Sequence, residues 1–266
     1  MSQAPPQTVP SSLSVAPAPA PAPPPGSPRY FALLYTPPAR RPVLCALLAL
    51  ADEISAGGAR GLDHSVAHVR LDWWRGEAER YARGEPQHPW LRALLAQHRT
   101  GRGLDLKPLV QAAALDLAIQ TQSAAPGVAL PGAKLQRALF ELAADALRAD
   151  RDTDPLPPQL QRTLGDLGEQ VLELERFAAG DARSSAAPTA SAGALEALRR
   201  QIRDIDGALQ PQLTPLLVWI ASAAAQARRR ARRADHNHGS LLDGFADNML
   251  AWNAARRAVR GRIRID

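Results

Sequence analysis

Lysine is nearly missing from this chain: of its 32 basic residues only Lys107 and Lys134 are lysine, and all the others are arginine. Aromatic residues make up only 5%, and β-branched ones are few. That poverty disfavours strands, which draw on both types. The single cysteine, Cys45, excludes an internal disulfide; lying in an apolar run, it reads as a small buried hydrophobe in a reducing compartment. No stretch reaches the roughly 18 uncharged apolar residues that a membrane-spanning helix needs. The N-terminus has neither a charged n-region nor an apolar h-region, so it does not read as a signal peptide, and the expected location is the cytoplasm. A glycine-rich phosphate loop and a Gly-x-Ser-x-Gly nucleophile elbow are both lacking.

What is there is alanine and leucine. Hydrophobic residues reach 45% of 266, much of it alanine, a composition that favours helices and a length that fits one all-α domain. The net charge is +6 with a pI near 10.3, a balance that admits nucleic acid, an anionic membrane surface or diphosphate ligands as partners. Residues 1–28 form a Pro/Ala/Ser tail centred on Ala16–Pro25, expected to be unpacked and extended because alternating proline removes backbone donors. The domain then runs over 29–266.

Helical spacing recurs through that domain. Val43, Leu47, Leu50 and Ile54 fall on one stripe between Arg41 and Ala56, and Gly57-Gly58 ends it. Asp63 is placed to cap a second helix to about Ala82, with Leu62, Val66, Val69 and Trp73 expected inward and Trp74 rotated away by about 100°. Further helices are expected over 88–98, 106–120 and 130–148. Leu160, Leu164, Leu167, Val171 and Leu174 then alternate in steps of four and three, the period of a packed bundle. A polar loop over 181–191 and helices over 195–209, 213–233 and 241–259 complete the reading. The expected fold is a single helical bundle with no sheet.

Three segments carry more than composition. Tyr30-Phe-Ala-Leu-Leu-Tyr-Thr-Pro-Pro-Ala-Arg-Arg41 opens the domain, Arg70-Leu-Asp-Trp-Trp-Arg75 precedes His88-Pro89, and Trp252-Asn-Ala-Ala-Arg-Arg257 with Gly261-Arg262 closes it. Their order resembles the squalene/phytoene synthase family of head-to-head prenyl synthases, over about residues 29–190 and again in the last helix. The resemblance implies an all-α terpenoid-synthase barrel around a cavity for a prenyl or other apolar ligand. It also implies two aspartate motifs on facing helices that hold Mg²⁺. Carboxylates four apart share a helical face, as Mg²⁺ with its hard oxygen ligands requires, and the metal neutralises the leaving diphosphate.

Those motifs are degraded here. Ser55 and Ala59 stand where the first pair of aspartates belongs, and Asp52 and Glu53, being adjacent, point to different sides. In the second region, Glu175-Arg176-Phe177 through Asp181, Arg176 or Phe177 replaces the first aspartate and Asp181 is the later one. The expectation is a non-catalytic binding or assembly protein, akin to the branch of the family that includes bacterial relatives of a mitochondrial complex I assembly factor. The alternatives are an active prenyltransferase using Mg²⁺ with Asp52, Glu53, Arg176 and Asp181 as remnants, or a peripheral-membrane adaptor.

The remaining candidates are polar features. His64, His68 and Asp72 lie four apart, a spacing able to hold zinc, yet they share their face with Arg75 and Glu79 and read as a solvated stripe. His236 and His238 fall in a polar connection. Arg228–Arg233, Arg256, Arg257, Arg260, Arg262 and Arg264 suit an anionic membrane, with no amphipathic insertion signal beside them; without interleaved aromatics, nucleic acid is not favoured. If the last two helices run antiparallel, the final arginines lie near the start of the Leu213 helix, away from Arg228.

Overall fold

The computed structural model describes residues 20–56, 64–97, 103–122, 132–148, 155–180, 188–235 and 243–263. Among them the chain forms ten helices and no strand: α1 (Pro28–Leu34), α2 (Arg41–Ala56), α3 (His64–Ala82), α4 (Pro89–Gln97), α5 (Lys107–Gln122), α6 (Ala133–Leu147), α7 (Pro158–Ala179), α8 (Pro188–Arg203), α9 (Thr214–Asp235) and α10 (Asp243–Val259). The expected all-α class is what forms.

Burial arranges these helices around α9. Every residue from Leu213 to Ala225 is buried, so this stretch has no solvent face at all. A helix apolar all round belongs in a core; α7, α1 and α10 surround it, with α6 and α8 touching it more lightly. From α6 the packing passes to α2 and α5, and α3 and α4 complete the far side. The stripes read from α2 and α7 hold, with Val43, Leu47, Leu50, Ile54, Leu164, Leu167, Val171 and Leu174 all buried.

The close approach of α6 and α7 depends on glycine. A Cβ on Gly168 would stand 2.8 Å from the Gln136 carbonyl and 3.0 Å from Phe140, nearer than such contacts allow. The start of α6 is capped from outside its own sequence. Gly132 offers no side chain there, and buried Asp116 of α5 accepts the Lys134 and Leu135 N–H groups at 3.2 and 2.8 Å. Two of the orphan donors of a helix start are thereby satisfied.

Four expectations need correction. First, α1 is an additional helix, capped by Ser27, whose Oγ accepts the Tyr30 N–H at 3.1 Å, with proline at the favoured first position. Second, packing begins before Arg29: the Cys45 thiol reaches the Ala20 carbonyl at 3.5 Å, and Gln226 donates to the Gly26 carbonyl at 2.9 Å. Cys45 itself is only half-buried, and that burial pushes its thiol pKa up.

Third, α3 is rotated from the expected face. Trp74 is 4% exposed and Trp73 44%, and Val66 and Val69 also face solvent. The inward stripe is Ala67, Leu71, Trp74, Ala78 and Tyr81, whose two alanines carry little weight as core signals but permit close packing on α5. Fourth, α8 starts at Pro188, inside the expected loop, and ends at Arg203. There Asp206 takes over the chain, its Oδ1 accepting the Ala208 N–H at 2.9 Å, which favours a turn over further helix.

Candidate functional site

Arg29, in the first turn of α1, reaches across to the end of α2. Its Nη1 donates to Asp52 Oδ1 at 2.5 Å and its Nη2 to Gln136 Oε1 of α6 at 3.4 Å. The guanidinium carbon lies 5.3 Å from the centroid of the Trp219 ring on α9, within range of a cation–π contact. Trp219 in turn donates its Nε1–H to Glu175 Oε1 of α7 at 2.7 Å. Five helices thus meet at one polar knot that runs from exposed Asp52, through part-buried Arg29, to the buried ring of Trp219.

Glu175 is the most perturbed member. Burial pushes its carboxyl pKa up; the positive charge of Arg29 and the Trp219 hydrogen bond oppose that push, and the negative charge of Asp52 adds to it. Part of the residue stays accessible, so the desolvation is concentrated on the carboxyl end. Arg29 is bonded to Asp52 and acts on Glu175 through its charge alone, so the cation beside these two acidic groups belongs to the protein.

That arrangement does not fit Mg²⁺. The ion needs near-octahedral oxygen ligands, whereas the space between Asp52 and Glu175 faces a guanidinium that repels it. Among the described residues, no three His, Cys, Asp or Glu side chains gather as a donor set.

The predicted site residues disperse. Asp52 joins the knot. Glu53 turns the other way, its Oε2 lying 3.4 Å from His88 Nε2, as expected for neighbours on a helix. Ser55 donates back to the Asp52 carbonyl at 2.8 Å. Arg176 puts its guanidinium beside Gly132 at the start of α6, and Phe177 packs partly buried against the core. Ala59, Asp181, His236, His238 and Arg264 lie outside the described residues, as does the His64 side chain. Asp72 is exposed and paired with Arg75 at 2.5 Å, and His68 is exposed, as a solvated stripe requires.

No family model matches the chain, and no solved structure matches it.

The segment Arg70–Pro89 works as a clamp. Glu77 is fully buried and accepts the Gln87 and His88 N–H groups, both at 2.6 Å, together with Arg80 Nε at 2.7 Å. His88 then packs its ring 5.1 Å from Trp74 and 5.0 Å from Trp90. Beneath it, Leu50, Ile54, Trp74 and Leu109 line a void of about 10 Å³, less than a ligand needs. A cleft of about 810 Å³ opens elsewhere, between the ends of α8 and α10, lined by Arg199, Arg203, Arg257, Arg260 and Arg262 against Glu196.

Sequence reasoning missed Arg29, Gln136 and Trp219 and passed over Glu175. For Glu175 a signal exists: it lies four residues after Val171, on the buried stripe, where an unpaired carboxylate is rarely tolerated. For Arg29 and Trp219 the only signal is three-dimensional, because their partners are more than twenty residues away.

Proposed function

We propose that this protein is a squalene/phytoene synthase-like chain that keeps the helical scaffold and serves as a non-catalytic binding or assembly protein. The supporting observation is the placing of Arg29 beside Asp52 and Glu175. Asp52 lies three residues before Ser55 and Glu175 directly before Arg176, positions that the resemblance assigns to metal-binding aspartates. The Arg29 guanidinium, bonded to Asp52 and acting on Glu175 through its charge, supplies positive charge there from within the protein. A site satisfied in this way has no means to draw a diphosphate through Mg²⁺. Loss of the ligands outweighs retention of the scaffold, since a fold by itself does not carry an activity.

Incubation of the full chain with labelled farnesyl or geranylgeranyl diphosphate and Mg²⁺ tests this reading. The expected result is no presqualene diphosphate, squalene or phytoene above a protein-free blank. Product well above that blank, lost on substituting Asp52 or Glu175, would establish the active-synthase alternative.

A further inference from the structure

The last helix is apolar on the wrong side. At about 100° per residue, Phe245, Met249, Trp252, Arg256 and Val259 fall on one narrow stripe of α10. They face outward: Phe245 is 68% exposed, Val259 61%, and Met249 and Trp252 42% each, whereas Leu250 packs partly buried against the core. The opposite side, against α9, is built of buried Ala251, Ala254, Ala255 and Ala258. Mostly small residues packed inward and four large apolar ones turned outward leave apolar surface that packing among the described residues does not use.

Positive charge borders that stripe. The Arg256 guanidinium carbon lies 4.6 Å from the centroid of the Trp252 ring, an arrangement in which the arginine stem lies along apolar surface and the charge stays outside. Arg257, Arg260 and Arg262 continue into the 810 Å³ cleft, where Arg199 and Arg203 face them. Those two are both paired with Glu196, the single acidic lining residue, at 3.4 and 3.9 Å, so that five arginines share one lining carboxylate. The turn presenting them is fixed. Gly261 (φ +64°) donates to the Ala258 carbonyl at 2.9 Å, and Arg262 N–H to the Arg257 carbonyl at 2.8 Å, the paired bonds of a Schellman ending. Buried Gln210 accepts the Ile263 N–H at 3.0 Å and pins the chain just beyond the turn.

We propose that the outer face of α10 docks on an anionic phospholipid surface, its apolar stripe entering the interface and the arginine cleft taking lipid phosphates. An aromatic-rich stripe with arginines at its edge matches the chemistry of an interfacial helix. A cleft of like charges is relieved by an anion and strained by a cationic or neutral partner, which selects an acidic surface. No helix among the described residues is long and apolar enough to cross the membrane, so attachment is peripheral. Under this proposal the outward stripe of α10 supplies the insertion signal that was not expected from the sequence. The proposal does not depend on whether the Arg29 knot is catalytically silent.

Sedimentation of the full chain with phosphatidylcholine vesicles, with and without phosphatidylglycerol, tests it. Binding is expected only with the anionic lipid and is weakened by salt. Phe245→Ser with Trp252→Ser should reduce binding at least about tenfold. Arg256→Gln and Arg260→Gln should each reduce it by about fivefold. Val69→Ser, an exposed apolar position on α3, should have no effect. Phe245→Ser alone, scored together with its melting temperature, separates lost docking from lost folding. The proposal is overturned by failure to bind anionic vesicles at low salt, by equal binding to neutral ones, or by a stripe variant that binds like the wild type. A stripe-dependent dimer, or inorganic pyrophosphate taken up without vesicle binding, would likewise overturn it.

Discussion

Trp74 and Trp73 are neighbours with opposite fates, and the difference is measurable. Trp74 fills space between α2, α3, α4 and α5, so Trp74→Ala leaves a cavity and should cost about 3–5 kcal/mol. Trp73→Ala, at a position 44% exposed, should cost under about 1.5 kcal/mol. Urea denaturation of both variants checks the contrast, and equal losses would refute the observed faces. Glu175 gives a pH-dependent counterpart. Its folded pKa is raised above the unfolded value of about 4.3, so the folded state holds the proton more tightly. Its contribution to stability is therefore best at low pH, declines as pH rises through the carboxylate range, and levels off above the folded pKa. Glu175→Gln removes this dependence and keeps an oxygen for the Trp219 N–H. Relative to wild type, the variant should gain stability as pH rises above the unfolded carboxyl range, until the folded Glu175 has lost its proton, as measured by denaturation at each pH. A difference that stays constant or moves the other way would contradict the buried carboxyl.

At the scale of elements, α6 and α7 meet through glycines that differ in kind. A methyl on Gly168 meets backbone and the Phe140 ring, neither of which moves readily. Gly168→Ala should therefore destabilise by about 1–3 kcal/mol despite the better helix propensity of alanine. A methyl on Gly165 meets side chains only, the Glu141 carboxylate and the Arg137 Cγ and Nη1 atoms, which must shift although Arg137 is ion-paired to Asp166 and Glu169. Gly165→Ala should therefore be destabilising but by less than Gly168→Ala, about 0.5–1.5 kcal/mol. Thermal melts of the two variants decide this, and a reversed order would mean that the helices are not in this register. The antiparallel pairing of α9 and α10 was legible in their short connection. Arg229 pairs with Asp247 at one end, and Gly261 meets Gly207, with a carbonyl 2.6 Å from where its Cβ would stand, at the other. Arg260 and Arg262, on the turn that meets Gly207 and Gln210, accordingly lie near the start of α9, as expected, whereas Arg264 lies outside the described residues.

For the molecule as a whole, the internal cation makes a prediction about magnesium. An ion bound only by the folded state stabilises it by about 2.7 kcal/mol at a hundredfold excess over its dissociation constant, which in a chain of this length is a shift of several degrees. With Arg29 holding the site, millimolar Mg²⁺ should leave the melting temperature unchanged. In Arg29→Gln the repulsion is gone, and any Mg²⁺-dependent gain should appear there first. A clear Mg²⁺ shift in the wild type, abolished by Asp52→Asn, would show that the carboxylates are available to metal after all.

Helix content, and the inward faces of α2 and α7, came from the sequence alone, because leucine and isoleucine at steps of three and four leave a helix only one side to bury. The divergence of Asp52 and Glu53 did too, since the angle between adjacent residues is a property of the helix itself. The inward face of α3 did not: its core positions include alanines, whose burial depends on how near a neighbouring helix comes. Nor did the knot, because Arg29, Asp52, Gln136, Glu175 and Trp219 belong to five helices and no local pattern relates them. The outward stripe of α10 was decided last and only in three dimensions. Its large apolar residues and its alanines both recur at helical spacing, and the side that turned inward is the one whose small residues let α10 lie close against α9.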